Sequence, residues 1–509
     1  MRRWNRLFAI VLVATACGTI DAAEEAPPVP GAAVGASAAA RAEVEIALVP
    51  ILDREVLSAR VLAQRKALGT DEPLFEDENG KPVPWIAPQG GTRREPSIDD
   101  ALLDSLEGSS GLGGAKPIVG ERVPGNGLGL YEKIASADGR PLARFHAALH
   151  ELAAGRDPDG KVRVAIYGAS HTEADVYPQY VRSYLQERFG DGGHGFVQVA
   201  KPWNGYSHVD VAVDGLDRWR TDTAHRGRGD GYYGLLGASV ATSHPKAFAR
   251  VRPAADVVAS RYELHFLAQP RGGSFAVYVD GRRHAEVSTA SERIGAGYHA
   301  FEIEEGSHAI ELQPNGDGEV RLFGITMERA SPGVVVDTLG IRGTRAAGAL
   351  AWDETIWADN LGRRAPDLVV LAFGTNEATD THQPIADYEE RLHAVIERIA
   401  RAAPQASCLL VGPGDFPDVS DGGTVLPRPR VTEIIAVQQR VAAAAGCGFW
   451  DLRAFMGGEL AMVKWVAADP PMAAADYVHL TRRGYVRMGM ALVDAMMTDF
   501  DRSDPLRGR

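Results

Sequence analysis

Short β-rich runs alternate with helical patterns in two separate parts of the sequence. Residues 162–167 form a compact apolar run, and beyond Gly168 apolar residues recur at helical spacing as far as Gly190. The same order returns at residues 368–373, followed by a helical pattern over 385–399. The alternation continues with strands at 409–411 and 449–452 and helices at about 431–445 and 485–497. This arrangement predicts an α/β domain whose parallel sheet is covered by helices on both faces.

Residues 206–328 break this alternation. Phe275, Val277 and Val279 follow a period of two up to Asp280-Gly281, a dipeptide typical of hairpin turns. Other short strand-like runs between turns lie at 262–267, 298–303, 308–312 and 320–325. We therefore expect an all-β sandwich over residues 206–332, inserted into an α/β domain that occupies residues 131–205 and 333–500.

Composition narrows the class of protein. At 509 residues the chain is long enough for two or three domains. Hydrophobic residues make up 45% and charged residues 24%, which is ordinary for a globular protein. The net charge of -13 and the lack of a long basic run argue against nucleic acid as a partner, because binding the phosphate backbone needs clustered Lys and Arg.

The N-terminus has the pattern of a secretion signal. Three arginines precede the apolar residues 7–16, a run too short to span a bilayer. We expect residues 1–23 to be a signal peptide and the protein to be exported to the periplasm or cell envelope. A degenerate lipoprotein box ends at Cys17, so lipidation of Cys17 and ordinary cleavage further on are equal alternatives. A lipid on Cys17 is the one membrane contact we expect.

Residues 24–130 separate this signal from the α/β domain. They are rich in Ala and Pro at 24–42 and mix Gly, Pro, Ser and charged residues at 70–130. We expect a mostly disordered linker, with a weak helical pattern at 44–68 that predicts one short helix.

Candidate catalytic residues lie where predicted strands end. Ser170 follows the first strand at a helix start, and Asp476 and His479 come just before the last helix. The carboxyl ends of parallel strands face a common crevice, where ligands bind. A serine hydroxyl becomes a nucleophile when a histidine takes its proton, and that histidine needs a carboxylate to orient it. These three residues are therefore candidates for a catalytic triad.

Four short motifs, in this order, resemble the sequence blocks of the SGNH (GDSL-like) esterase family. They are Gly168-Ala169-Ser170-His171-Thr172 for the first block, Gly340-Ile341-Arg342-Gly343 for the second, Gly374-Thr375-Asn376-Glu377 for the third, and Asp476 to His479 for the fifth, Asp-x-x-His. Each motif alone is weak, whereas four in the family's order are a strong signal.

The resemblance implies a flavodoxin-like three-layer α/β hydrolase domain and a role for each motif residue. Ser170 would be the nucleophile, His479 the general base and then acid, and Asp476 the residue that orients His479. The N-H groups of Ser170 and Gly343 and the side chain of Asn376 would form the oxyanion hole. We expect no cofactor and no metal.

The motifs depart from the usual family pattern at two positions. Ala169 replaces the aspartate of Gly-Asp-Ser, and Glu377 stands where aspartate commonly follows the asparagine. Neither change removes a triad member. Thr172 excludes the Gly-x-Ser-x-Gly elbow of the α/β-hydrolases. We expect His171 to be structural or to support the catalytic residues without touching the substrate.

Histidines and cysteines outside the motifs suggest no metal centre. His194, His208 and His225 are scattered in glycine-rich segments without the close pairing of a zinc site. Cys408 and Cys447 each enter a predicted strand, so a disulfide and two buried thiols are both open.

The substrate class is suggested by the inserted sandwich. A β-sandwich between the first and second blocks, and the run Gly192-Gly193-His194-Gly195-Phe196, resemble bacterial peptidoglycan O-acetylesterases, whose insert is similar to a carbohydrate-binding module. Aromatic residues that could stack on sugars are Trp203, Tyr206, Trp219, Tyr232 and Tyr233.

We therefore expect a serine esterase that removes O-acyl groups, mainly O-acetyl groups, from a cell-envelope polysaccharide. The alternatives are an O-acetyltransferase acting on an envelope glycan and a catalytically silent carbohydrate-binding protein. An acylated polysaccharide is the expected partner, and the oligomeric state stays open.

Overall fold

The computed structural model of the protein describes residues 132–224, 229–420, 424–469 and 471–502, together with Gly129 and short strands at 73–76, 82–84 and 123–124. These residues belong to one compact unit, Leu48–Arg509. The predicted signal peptide with Cys17, the predicted helix at 44–68 and His225 lie outside the described residues.

A parallel sheet forms the centre of the α/β part. Its strands are β4 (Lys161–Gly168), β16 (Gly333–Gly340), β17 (Leu368–Ala372), β18 (Ser407–Val411) and β21 (Gly448–Trp450). Their order across the sheet is β16-β4-β17-β18-β21, and every neighbouring pair is parallel. In chain order this reads 2-1-3-4-5, the flavodoxin-like arrangement. The predicted fold class of the α/β part is confirmed.

Helices cover both faces of this sheet. They are α1 (Ala143–Ala153), α2 (Ser170–Glu173), α3 (Val176–Phe189), α4 (Glu354–Arg364), α5 (Ile385–Ala402), α6 (Pro429–Ala445), α7 (Leu452–Met456), α8 (Ala461–Val466) and α9 (Arg482–Arg502), with 3-10 turns at Ala346–Ala351 and Glu377–Thr379. Successive strand residues point to opposite faces. Val164 and Ile166 of β4 therefore pack with α1, α3 and α9, whereas Ala165 and Tyr167 pack with α4, α5 and α6.

Helix ends follow local chemistry. The helix α3 ends at Gly190, whose φ of 101° is a conformation that glycine adopts readily, as predicted. The helix α4 was not predicted, because few of its residues are apolar. Its start is marked by Asp353, whose side chain accepts a hydrogen bond from the backbone N-H of Ile356. This cap is the local signal that could have identified α4.

Two antiparallel sheets occupy the chain between β4 and β16. The first contains β13 (Gly295–Gly306), β10 (Ala259–Ala268), β15 (Val320–Glu328), β8 (Ala238–Thr242) and β7 (Arg220–Thr223), with β5 (Gly195–Val197) also paired to β15. The second contains β12 (Arg282–Ser288), β11 (Ser274–Val279), β14 (Ile310–Pro314), β9 (Ala249–Pro253) and β6 (Val211–Asp214). The β5 strand lies upstream of residue 206, where we expected the insert to begin.

The two antiparallel sheets share a core. Phe266 of β10 and Phe275 of β11 meet edge to face, with ring centroids 6.1 Å apart. The hairpin expected at Asp280-Gly281 joins β11 to β12, and both residues have positive φ, 50° and 77°. Positive φ at both central positions is the requirement of a type I′ turn, which Asp-Gly satisfies.

Short strand pairs lie outside these sheets. They are β1 (Pro73–Glu76) with β2 (Pro82–Pro84), β3 (Val123–Pro124) with β22 (Ala468–Asp469), and β19 (Asp418–Val419) with β20 (Val425–Leu426). The first three strands fall within residues 24–130, where we expected a linker.

Cys408 and Cys447 form a disulfide, with their Cα atoms 4.7 Å apart. It joins β18 to the residue just before β21, its parallel neighbour. The sequence left a disulfide and two buried thiols as alternatives, and the structure contains the disulfide. Among the described helices, none combines the length and apolar character needed to cross a bilayer.

Buried ion pairs join the parallel sheet to the first antiparallel sheet. Glu328, the last residue of β15, accepts hydrogen bonds from Arg163 of β4 and Arg364 of α4 at 2.6 to 3.0 Å. Arg364 also donates to Asp337 of β16 at 2.8 and 3.0 Å. Burial alone would raise the pKa of Glu328, but the two arginines hold it well below its ordinary value of 4.5.

We predict that Glu328→Gln lowers the free energy of unfolding by about 3 kcal/mol at pH 7, because the buried Arg364 and the half-buried Arg163 each lose one of their two carboxylate partners. The pKa of Glu328 is lower in the folded than in the unfolded state. The stabilisation is therefore complete above the ordinary pKa of 4.5 and is lost as the pH falls towards the folded-state pKa. Chemical denaturation at pH 7 and at acid pH measures both effects.

The matched control is Glu302→Gln on β13, since Glu302 is 74% exposed and pairs with Arg261 at the surface. We expect a change below about 0.5 kcal/mol for this variant. Equal losses in the two variants would contradict the assignment of Glu328 to a buried network.

Candidate active site

Ser170 lies at the carboxyl edge of the parallel sheet. Gly168 of β4 pairs with Gly340 of β16 on one side and with Ala372 of β17 on the other, so the three strands end in one row. The chain then turns into α2, where the Ala169 carbonyl accepts the N-H groups of Thr172 and Glu173 at 3.1 and 2.9 Å. Ser170 is the first residue of this helical turn.

The turn is packed closely against the end of β16. A Cβ atom added to Gly340 would lie 2.2 Å from the backbone nitrogen of Glu173 and 2.7 Å from the carbonyl carbon of Thr172. Only a glycine at this position lets β16 approach α2 so closely. The backbone of β16 therefore helps to fix the position of Ser170.

The three predicted triad residues come together in one hydrogen-bonded chain. Ser170 Oγ lies 2.9 Å from His479 Nε2, and His479 Nδ1 lies 2.6 Å from Asp476 Oδ2. All three side chains are buried. Because an ionised carboxylate can only accept, Nδ1 carries the proton and donates to Asp476, which leaves Nε2 to accept from the Ser170 hydroxyl. The arrangement has the geometry of a nucleophile, a base and an orienting acid.

Asp476 is held in place by the turn that carries His479. Its Oδ1 accepts the backbone N-H groups of Val478 and His479, each at 2.9 Å. Tyr477, which directly follows Asp476, has a φ of 58°. Burial opposes ionisation of Asp476. The hydrogen bond and charge of His479, together with these amides, nevertheless keep the pKa of Asp476 below its ordinary value. The site therefore favours a carboxylate at Asp476.

The candidate oxyanion groups lie on the loops after neighbouring strands. Gly343 follows β16 with a φ of 73°, and Asn376 follows β17 and donates from Nδ2 to the Thr344 carbonyl at 2.8 Å. Glu377, which departs from the family pattern, is buried and links the two loops. Its carboxylate accepts the N-H of Ala346 at 2.9 Å and that of Gly374 at 3.0 Å.

His171 packs beside the candidate base. Its ring lies 5.3 Å from the ring of His479, and its Nδ1 is 2.9 Å from the hydroxyl of Tyr485 on α9. Burial and the neighbouring His479 lower the pKa of His171 to about 3. The ring is therefore neutral at physiological pH, packed beside the ring of the candidate base.

A buried glutamate beside Ser170 was not identified from the sequence. Glu173 ends α2, and its Oε1 accepts a hydrogen bond from Trp203 Nε1 at 2.7 Å and from Arg342 at 3.3 Å. Burial raises the pKa of Glu173. The presence of Arg342 inside the second motif was the available signal, because a charged residue beside a catalytic loop needs a partner.

The aromatic candidates for sugar stacking differ in exposure. Tyr206, Trp219 and Tyr233 are buried, so they pack in the interior and do not present ring faces. Trp203 and Tyr232 are partly exposed. Trp203 is the one hydrogen-bonded to the turn that carries Ser170.

Two histidines that we expected to be scattered lie together. His194 and His208 cluster with Asp175, with the potential ligand atoms of all three within 4.8 Å of one another. Their spacing along the chain does not indicate this cluster, because the three residues belong to separate segments. This cluster is the group of described residues that could hold a metal.

A known protein family matches the part of the chain that carries three of the four motifs. The model of the GDSL-like Lipase/Acylhydrolase family matches residues 313–487, which include the second, third and fifth motifs, while Ser170 lies upstream of the match. No curated protein sequence matches the chain.

Carbohydrate esterases are among the solved structures that match this chain. A peptidoglycan O-acetylesterase structure is 25% identical, with a TM-score of 0.59, and the match covers 71% of this chain and 96% of that one. A family two carbohydrate esterase from Cellvibrio japonicus is 12% identical over 57% of this chain and 99% of its own, with a TM-score of 0.24. An acetyl xylan esterase is 18% identical over 32% of this chain and 80% of its own, with a TM-score of 0.25.

We predict that Gly340→Ala lowers kcat/KM for p-nitrophenyl acetate by about 100-fold, because the added methyl group must displace the backbone of α2 and with it Ser170. Steady-state kinetics on protein with an unchanged circular dichroism spectrum measures the effect.

Gly362→Ala in α4 is the matched control, since its added Cβ would have its nearest neighbour 3.7 Å away. We expect unchanged kinetics and a gain in stability of about 0.5 to 1 kcal/mol from the better helix former. Wild-type kinetics in Gly340→Ala would show that β16 does not fix the position of α2.

Proposed function

The chain carries a domain of the GDSL-like lipase/acylhydrolase family and is an SGNH-type esterase, and from this premise we propose that it is exported and removes O-acetyl groups from a cell-envelope polysaccharide such as peptidoglycan. Ser170, His479 and Asp476 act as its catalytic triad. The continuous hydrogen-bonded chain from Ser170 Oγ through His479 to Asp476 is the observation that supports this most directly.

In the first half-reaction, Ser170 Oγ attacks the ester carbonyl carbon while its proton passes to His479 Nε2. The oxyanion that forms is stabilised by the N-H groups of Ser170 and Gly343 and by the Asn376 side chain. His479, now an imidazolium oriented by Asp476, donates the proton to the sugar oxygen as the carbon–oxygen bond breaks. The product is an acetyl-serine and a free sugar hydroxyl.

In the second half-reaction, water replaces the sugar. His479 Nε2 takes a proton from the water, the resulting hydroxide attacks the acetyl carbonyl, and the same oxyanion groups stabilise the second intermediate. Collapse returns the proton to Ser170 Oγ and releases acetate. Asp476 stays ionised throughout, in agreement with the environment that lowers its pKa.

A carbohydrate substrate is supported by two observations. The 25% identical structure is that of a peptidoglycan O-acetylesterase and extends over 71% of this chain. Trp203 is partly exposed and donates a hydrogen bond to Glu173, the last residue of the α2 turn that begins with Ser170. Aromatic faces of this kind stack on the apolar faces of sugar rings, so we assign Trp203 to substrate binding.

Export is supported by the disulfide between Cys408 and Cys447. Disulfides form and persist in oxidising compartments such as the periplasm and are rare in the cytosol. The basic and apolar pattern of residues 1–23 favours the same compartment.

We predict that Ser170→Ala abolishes labelling by a fluorophosphonate and lowers p-nitrophenyl acetate turnover by at least about 10⁴-fold, because no other group can form the acyl intermediate. Gel fluorescence and steady-state kinetics measure the two effects. Ser136→Ala removes a partly exposed serine that is hydrogen-bonded to Asp138 outside the candidate site, and this matched control should keep both labelling and turnover. Absence of labelling in the wild-type protein would favour a catalytically silent binding protein.

We further expect acetate release from O-acetylated peptidoglycan that exceeds release from acetylated xylan, measured with an enzyme-coupled acetate assay. Chemically de-acetylated peptidoglycan is the control polymer. If a soluble glycan acceptor diverts most acetyl groups from water to the sugar, the enzyme is an O-acetyltransferase and the hydrolase assignment is wrong.

A further inference from the structure

Three side chains from separate segments converge next to the catalytic turn. Asp175 directly precedes α3, His194 precedes β5, and His208 lies shortly before β6. All three are buried, and their potential ligand atoms lie within 4.8 Å of one another. Two imidazoles and one carboxylate are a donor set that suits a first-row transition metal, and zinc in particular.

Among the described residues, one ring nitrogen of His208 has no hydrogen-bond partner. Its Nδ1 is buried, finds no such partner among the described residues, and lies 3.6 Å from Asp175 Oδ2. The side chain of His208 is only 3% exposed. A buried polar atom left unpaired is destabilising, so an ion or water that binds it would be stabilising.

One carboxylate oxygen of Asp175 can accept a second hydrogen bond or bind a cation. Its Oδ1 accepts from the Thr338 hydroxyl at 2.6 Å and lies 3.4 Å from an Arg182 nitrogen. Its Oδ2, the oxygen nearer to His208, accepts the backbone N-H of Val209 at 2.9 Å. A carboxylate oxygen has two acceptor directions, so Oδ2 keeps one for a cation.

We propose that Asp175, His194 and His208 bind one Zn²⁺ ion. Ligand atoms about 2.0 to 2.1 Å from a tetrahedral zinc are about 3.3 Å apart, close to the 3.6 Å between His208 Nδ1 and Asp175 Oδ2. A cavity of about 10 Å³ adjoins His194 and is large enough for a single water as the fourth ligand. Small side-chain rotations complete the site.

The charges around the cavity are compatible with a divalent cation. The cavity is lined by Asp191 and Asp210 in addition to Arg182. Arg182 donates to Asp175 Oδ1 and to the Val336 carbonyl, and Asp191 is paired with Arg329. Three carboxylates therefore face two guanidinium groups in this neighbourhood.

The proposed zinc would link the segment that follows α2, the helical turn carrying Ser170, to the antiparallel sheets. Asp175 directly precedes α3, whereas His194 precedes β5 of the first antiparallel sheet and His208 precedes β6 of the second. An ion bound only by the folded state stabilises that state and restrains the segments that ligate it. The site is structural, because its ligands differ from the residues of the proposed triad.

The test uses the full-length protein without a histidine tag, stripped with a chelator and titrated with Zn²⁺ in competition with a chromogenic chelator. We expect one equivalent bound per chain and a rise in Tm of about 5 °C at saturation. His208→Ala and His194→Gln should each abolish the bound equivalent and the rise in Tm. His194→Gln keeps the size and polarity of the side chain, so it decides the result if His208→Ala does not fold.

Two controls locate the ion. His244→Ala removes an exposed histidine elsewhere in the antiparallel region and should keep the full equivalent. His479→Ala should also keep it, which separates the proposed site from zinc captured by the triad histidine. The proposal is wrong if the wild-type protein binds no zinc, or if folded His194→Gln still binds one equivalent.

Discussion

Backbone pairing at the ends of β16, β4 and β17 sets the geometry on which the candidate site depends. Gly168, the last residue of β4, is paired with the last residue of each neighbouring strand. The loops after these strands carry Gly343, Ser170 and Asn376, so one row of hydrogen bonds aligns all three. The candidate base, His479, lies in the segment just before α9. The helix α9 packs on α3, which follows the α2 turn that carries Ser170. The two packing relations together bring His479 to the nucleophile.

The buried acids around the site have different partners, and this gives them different charge preferences. Asp476 accepts two backbone amides and the imidazole, and its pKa is lowered. Burial dominates for Glu173 and Glu377, and it raises both of their pKa values. The environment thus favours negative charge on Asp476, next to His479, over charge on the other two acids. His171, neutral beside the same histidine, adds no competing positive charge.

Several features of the site had no usable signal in the sequence. In the sequence, Glu377 is a departure from the family motif. In the structure, its carboxylate accepts two backbone N-H groups and so links the loops that carry the second and third motifs. His194 and His208 were far from a metal-binding spacing, yet they lie beside Asp175. The periodicity of apolar residues indicates which face of a helix or strand is buried. Contacts between loops depend on how whole helices and strands pack, which periodicity does not describe.

The sequence by itself determined the alternation of strands and helices, because periodicity and turn residues are local properties. The order of its four motifs determined the resemblance to the SGNH family, and that resemblance implied the flavodoxin-like class and the identity of the candidate triad. Tertiary structure alone decided that Cys408 and Cys447 are bridged, that Tyr206 is buried while Trp203 stays partly exposed, and that Ser170 and His479 are in contact. Those outcomes depend on the register of neighbouring strands and on helix packing between segments hundreds of residues apart.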